Sequence, residues 1–289
     1  PYVFPVAPQA AAYVCTFSTA EASQAAAAQA VAGEIPIGGR TPVSVSRYFK
    51  VGDGIQIPRL DMTLGMQPAA EAGESPGLRE AARLLDAYVA DGTFAGASLI
   101  VGRRNRVLLS HASGRTGPDP GSPRTSSDAA YPLGSLSGPM GAGSAAMLCV
   151  DSRGLLPDAP LEDYLPEKRT TAAGRLRIQD LLRFPGDEEL RAGNGGPQAA
   201  DLLAEIVARA TGTPTGRFLS ERLFSPLGLA HTSVAPPEEV RGRAAAANPA
   251  HPALLSSARD LAVFAQMLLN RGVYDHRRYF KPETVDRFT

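Results

Sequence analysis

Between Leu78 and His111 the apolar residues change their spacing, and that change limits the folds open to this chain more than any other feature. Leu78, Ala81, Ala82, Leu85, Tyr88 and Val89 recur at helical spacing, and Asp91-Gly92 stops the run. One stripe of that helix is apolar and must be covered. Two β-type runs follow at once, residues 96–102 and 107–111, joined by the polar turn 103–106. They read as a hairpin. A helix leading directly into a hairpin opens a compact α/β unit.

Three further helices are expected downstream. Residues 140–150 carry apolar side chains all round, as a buried helix does. Ala199, Leu202, Leu203, Ile206, Val207 and Ala210 form a 3.6-period stripe closed by Gly212. Ser257-Ala-Arg-Asp260 caps a third helix with Leu261, Phe264 and Leu268 on one face. Upstream, residues 11–17 read as a strand, and Ser18-Thr-Ala-Glu21 reads as a capping box opening an alanine-rich helix to about Val31. The turn Gly38-Gly39-Arg40-Thr41-Pro42 then leads into a short strand at 43–45. Strand, helix and strand make one crossover of an α/β sheet whose other strands are missing, so this piece cannot bury both faces alone. Residues 46–76 lose periodicity and are expected to be a linker. The predicted organisation is therefore 1–45, linker 46–76, and a second domain over 77–289. The opening Pro1-Tyr2-Val3-Phe4 has no initiator Met and no charged leader, and reads as the cut edge of a longer chain.

Composition removes several function classes. With 289 residues, 44% of them hydrophobic and 20% charged, the chain is that of a globular protein. Lys+Arg and Asp+Glu both number 29, and no basic stripe interleaved with aromatics is present, so nucleic acid is not an expected partner. No apolar stretch approaches the roughly 20 residues of a membrane span. Cys15 and Cys149 match no metal-ligand spacing and lie in apolar surroundings, so two buried thiols are expected rather than a bridge. Nothing in the sequence calls for a metal or a cofactor. The only lysines are Lys50, Lys168 and Lys281.

Residues 96–111, then Tyr131-Pro-Leu-Gly-Ser-Leu-Ser-Gly-Pro-Met140, Leu161-Glu-Asp-Tyr-Leu-Pro166, Phe224-Ser-Pro-Leu-Gly228 and Leu255-Ser-Ser-Ala-Arg-Asp-Leu261 resemble, in order and spacing, the serine beta-lactamase and penicillin-binding-protein-like family. The resemblance implies an α/β fold of helices packed on an antiparallel sheet. In 77–289 that fold is expected to be partial, short of its C-terminal strands. It also implies a serine at a helix start, a lysine in S-x-x-K, a tyrosine in Y-x-N, and a late strand with a K-T-G type triplet. Positions i and i+3 share a helix face, so the lysine amine can take the serine proton.

This sequence departs from that pattern. The S-x-x-K window reads Ser135-Leu136-Ser137-Gly138, keeping the nucleophile position Ser135 and placing glycine where the base belongs. Starting from Ser137 puts Met140 there instead. The tyrosine position falls on Gly195, within Gly195-Gly196-Pro197, or on Ala192 if the register slips to Asn194. The third motif is expected beyond Thr289. Ser135 or Ser137 then reads as a helix cap, with Pro139 suited to the first turn. His111, His231, His251 and His276 are the candidate replacement bases, and sequence sets none beside Ser135.

Residues 1–60 are similar to the tail of the C-terminal α/β sandwich of glycoside hydrolase family 3, chiefly through Ile35-Pro-Ile-Gly-Gly-Arg-Thr-Pro-Val-Ser-Val45. That resemblance implies a bacterial parent with a glycosidase barrel upstream, fused to the serine-hydrolase-like module and set in the periplasm or outside the cell. Its ligand would be a cell-wall or polysaccharide compound, and its other partner the rest of its own chain. Three functions stay open: a catalytically degenerate binding module or scaffold, an active esterase, amidase or D,D-peptidase using Ser135 with an unconventional base, and a purely structural domain.

Overall fold

The computed structural model describes residues 13–45, 47–60, 62–65, 75–183, 199–234 and 254–289. The chain divides into two compact units, Pro1–Met62 and Thr63–Thr289.

In the first unit, residues 13–17 form no strand, contrary to expectation, and residues 11 and 12 lie outside the described set. Helix α1 spans Glu21–Val31 with Ala20 as its N-cap. The capping box does not form: Glu21 is the first helical residue, and the Ser18 hydroxyl accepts from the Ala20 N–H at 3.1 Å. A serine two residues ahead of its target satisfies a turn rather than a helix. None of α1 is buried. The strand expected at 43–45 is a single bridge from Val45 to Phe49, and Ile37 bridges Ile57. Residues 47–60 fold back on 33–45 through Thr41 N–H to Asp53 O at 2.8 Å and Leu60 N–H to Gly33 O at 2.9 Å. The first half of the expected linker is thus tied into this unit by backbone hydrogen bonds, which leave no periodic trace in a sequence.

The second unit opens with α2, Pro76–Ala90. Leu78, Ala81, Ala82, Leu85 and Val89 are half-buried, as their spacing requires, while Tyr88 stays exposed against the edge of Phe94, ring centroids 6.0 Å apart. The hairpin forms as β1, Gly96–Arg103, and β2, Arg106–Gly114, antiparallel with Leu99 opposite His111. Arg104 and Asn105 both adopt positive φ, which matches the right-handed twist of a two-residue hairpin loop. Helix α2 lies on β2, and Gly65 bridges Arg106 on the outer edge of that strand.

Strand β3, Ala130–Pro132, leads into one long helical run: a 3₁₀ turn at Gly134–Leu136, a π-helix at Gly138–Gly143 and α3 at Ser144–Asp151. The helix expected over 140–150 therefore exists, but starts earlier and wider. Within it Gly141 faces Leu254, and a Cβ there would stand 3.4 Å from the Leu254 side chain. After α4, Ile178–Leu182, helix α5 spans Ala199–Thr211 and buries Ala199, Leu202, Leu203, Ile206 and Val207 against the π-helix and α3, with Ala210 outside. Helix α6, Thr215–Leu219, and strand β4, Ser233–Val234, follow. Strand β5, Leu254–Ser257, lies between β3 and β4 in an antiparallel sheet ordered β3-β5-β4. Ser257 caps α7, Ala258–Leu269, accepting from Asp260 N–H at 3.2 Å. The deepest face of α7 is Asp260, Val263 and Met267, with Leu261, Phe264 and Leu268 half-buried beside it. A small hairpin, β6 Val273–Tyr274 and β7 Arg277–Arg278, and helix α8, Pro282–Phe288, complete the unit. Among the described residues β1 and β2 form a two-stranded sheet.

The thiols differ from expectation. Cys149 is buried and its thiol is pushed up to about 11 by desolvation, whereas Cys15 is exposed. Among the described residues no helix is long and apolar enough to cross a membrane.

Candidate functional site

Strand β5 builds the turn that carries the two candidate serines. Tyr131 and Pro132 pair with Ser256 and Leu255, and the ladder gains one more bond where Leu133 N–H donates to Leu254 O at 2.9 Å. Gly134, at φ +54°, then turns the chain out of the sheet and into the helical run. The left-handed conformation suits a residue without a Cβ.

The two serines part company here. Ser137 is buried and its Oγ accepts from Leu254 N–H at 3.1 Å. Ser135 is exposed, and its side chain makes no hydrogen bond among the described residues. The 3₁₀ turn at Gly134–Leu136 runs through Ser137, itself in the right-handed helical region, into the π-helix, so Gly138 stands one turn beyond Ser135. It has no side chain to accept a proton. Met140, the base position in the shifted register, is 4% exposed inside the core.

Lys281 does not supply the missing amine. Lys281 donates from Nζ to Asp151 O at 2.6 Å, at the far end of the helical run that Ser135 begins. Seventeen residues of helix separate the two ends by roughly 25 Å. Lys168 ends a 3₁₀ turn at Pro166–Lys168.

Two of the candidate histidines are engaged elsewhere. His111 Nε2 meets Asp86 Oδ1 at 2.8 Å, joining β2 to α2, and holds that carboxyl below the usual range with help from Ser113. The His231 imidazole has Nε2 3.9 Å from Asp128 Oδ1, while its backbone N–H donates to Asp260 Oδ2 at 2.7 Å. His276 sits in the β6-β7 turn, and His251, Ala192, Asn194 and Gly195 lie outside the described residues.

One polar cluster escaped sequence reading. Thr232 Oγ1 lies 2.8 Å from both Ser256 Oγ and Asp260 Oδ2, so the buried Asp260 gathers the turn before β4, the strand β5 and the start of α7. The only sequence signal was Asp260 as the last residue of the cap motif, and its long-range partners have no fixed spacing.

The profile of the family described as Beta-lactamase matches residues 81–184 and 198–285. The chain belongs to the beta-lactamase family. The break at 185–197 contains Gly195, the expected tyrosine position. The fold agrees with solved structures: a beta-lactamase from Sulfitobacter sp. EE-36 at TM-score 0.57 and 20% identity, over 75% of this chain and 69% of that one. A class C beta-lactamase from Rhodobacter sphaeroides gives 0.56 and 21%, over 73% and 69%. A D-amino acid amidase from Ochrobactrum anthropi SV3 gives 0.55 and 19%, over 72% and 74%. No curated protein matches the chain. Residues 1–60 fall outside the family match, and none of these structures is a glycoside hydrolase.

Proposed function

We propose that this chain is a beta-lactamase-fold module that no longer carries out acyl transfer and acts by binding a cell-wall-type peptide or acyl ligand, or as a scaffold for one. The observation that supports this reading best is the pair Ser135 and Gly138. The nucleophile position is exposed and in helical register with the base position, and the base position has no side chain. A serine alcohol is almost wholly protonated at neutral pH, and general-base assistance typically contributes about 10²- to 10⁴-fold, so its loss raises the barrier by roughly 3–5 kcal/mol. The ligand class follows from the neighbours: a D-amino acid amidase and a beta-lactamase/D-alanine carboxypeptidase from Pseudomonas syringae handle D-amino acid derivatives, and a fold that kept their cleft would keep affinity for such amides.

The likeness of residues 1–60 to a family 3 glycoside hydrolase tail belongs to the same proposal. It makes the parent a hydrolase of bacterial glycans, and the sequence of the full-length gene product tests it directly.

The rival is an active esterase, amidase or D,D-peptidase using Ser135 with an unconventional base, favoured by one fact: the Ser135 hydroxyl is exposed and free of structural duty among the described residues. Treatment with a fluorophosphonate or a penicillin followed by intact mass measurement separates the two. No adduct is expected, and a stoichiometric adduct on Ser135 would overturn the degenerate-site reading.

A further inference from the structure

Ser137 occupies the position before the missing base and is fully committed to a contact that the chemistry of the motif does not need. Its Oγ takes the Leu254 N–H at 3.1 Å, while the Leu254 carbonyl takes the Leu133 N–H at 2.9 Å. Both backbone groups of one fully buried residue are thus bound to the two ends of the five-residue segment that presents Ser135. Leu254 is itself immobilised: its side chain packs on Gly141 one helical turn farther on, and β5 continues into the Ser256, Thr232 and Asp260 cluster and the Ser257 cap. A turn held at one end is free to fray, and a turn held at both ends by one rigid strand residue is not. We infer that Ser137 is the positioning residue of this site: by clamping Leu254 it fixes the Gly134–Leu136 turn and so the direction in which the residue at 135 projects. This inference rests on Ser135 being the site position, as proposed above.

The alternative is that Ser137 merely satisfies a buried N–H, and that the turn keeps its geometry without it. Loss of stability alone cannot separate the two, because leaving the Leu254 amide unpaired is destabilising either way. A reporter at 135 can. In the full chain carrying Cys15→Ser, which removes the exposed native thiol, Ser135→Cys places a single accessible thiol at the start of the helical run. The helix start favours the thiolate, so its alkylation by iodoacetamide is expected to titrate below the free-thiol midpoint of about 8.5. Adding Ser137→Ala is expected to move that midpoint up toward the free value and to slow alkylation at pH 7 by about threefold or more. Ser137→Thr, which keeps the hydroxyl, is expected to restore both. Ser144→Ala, which deletes another buried hydroxyl of the same run, is expected to lower Tm without moving the midpoint. An unchanged midpoint and rate in the Ser137→Ala background would overturn the inference.

Should Ser137→Ala not fold, amide exchange of the unmodified protein decides: the Leu254 and Ser137 amides are expected to open in one step with equal protection, and a Ser137 amide exchanging 100-fold faster than Leu254 would overturn the clamp. None of these outcomes depends on acylation. A fluorophosphonate adduct on wild-type Ser135 would remove the degenerate-site reading and leave the clamp standing.

Discussion

Gly272 shows what a single residue without a side chain holds in place. It follows α7 at φ +85°, and both the Tyr279 and the Phe280 N–H groups donate to its carbonyl, at 2.7 and 3.2 Å. A Cβ there would stand 2.3 Å from the Phe280 carbonyl oxygen, a backbone atom that cannot swing aside. Gly272→Ala combines a left-handed conformation with a hard overlap against the strand β7 side of the hairpin, and Phe280 is one of the largest fully buried side chains. Costs of this kind are roughly 2–4 kcal/mol, so Tm should fall by about 5–15 °C, read by calorimetry. A drop under 2 °C would mean that the hairpin relaxes away and that Phe280 does not anchor α8. Sequence reading could not single this glycine out from the other 28, because its meaning lies in an approach by residues seven and eight positions later.

Among elements, the ones legible in advance were those whose instructions are local. The α2 stripe, the hairpin and the Ser257 cap are written within a few residues of where they act, and all three form, the hairpin with a turn two residues tighter than the expected 103–106. Of the strand expected at 11–17 the described residues 13–17 form none, and the one expected at 43–45 is a single bridge, since an apolar run makes a strand only where it has a partner to pair with. Long-range ties carry no such mark: Asp151, at the end of α3, accepts from the Lys281 N–H at 2.7 Å and from Thr284 Oγ1, capping α8 from 130 residues away. Glu167 is another. Its carboxylate accepts from Arg209 Nη1 at 3.0 Å, tying the 3₁₀ turn at Pro166–Lys168 to α5, and the bond with Arg209 holds its pKa below the ordinary carboxylate range. A depressed native pKa means that this tie contributes fully above the unfolded value of about 4.3 and is lost as pH falls through the native one. The Tm difference between wild type and Glu167→Gln is therefore expected to be fully present near neutral pH and to close only as pH falls through the depressed native pKa. A difference independent of pH would show that the ion pair is fully screened by solvent, as exposed pairs often are.

At the scale of the whole molecule, the candidate site was legible to the extent that its motif is contiguous: the S-x-x-G window located Ser135 and Gly138, and the structure sets them one helical turn apart. The clamp through Leu254, 117 positions from Ser137, was not legible, nor was the division of the chain at Met62 and Thr63, which falls inside a stretch without periodicity. The two units differ in what holds them. The second has one continuous core in which Ala145, Leu161, Ile178, Leu203, Ile206, Leu223 and Leu254 are fully buried. The first, over its described residues, buries no side chain, and α1 contributes 11 helical residues of which only Ser23, Ala27 and Ala30 are even half-buried. An isolated alanine-rich helix of this length is marginal in water, since nucleation is costly and no apolar stripe is sheltered to offset it. Amide exchange by mass spectrometry should therefore split the chain: α1 amides are expected to exchange within seconds at neutral pH, whereas those of α3 and α5 should require near-global opening and stay protected for hours. Because each unit is judged on its own amides, the comparison needs no assumption about how the units are arranged. Protection of α1 equal to that of α5 would show that α1 is covered in solution by a surface outside the described residues, and would make the first unit part of a larger core.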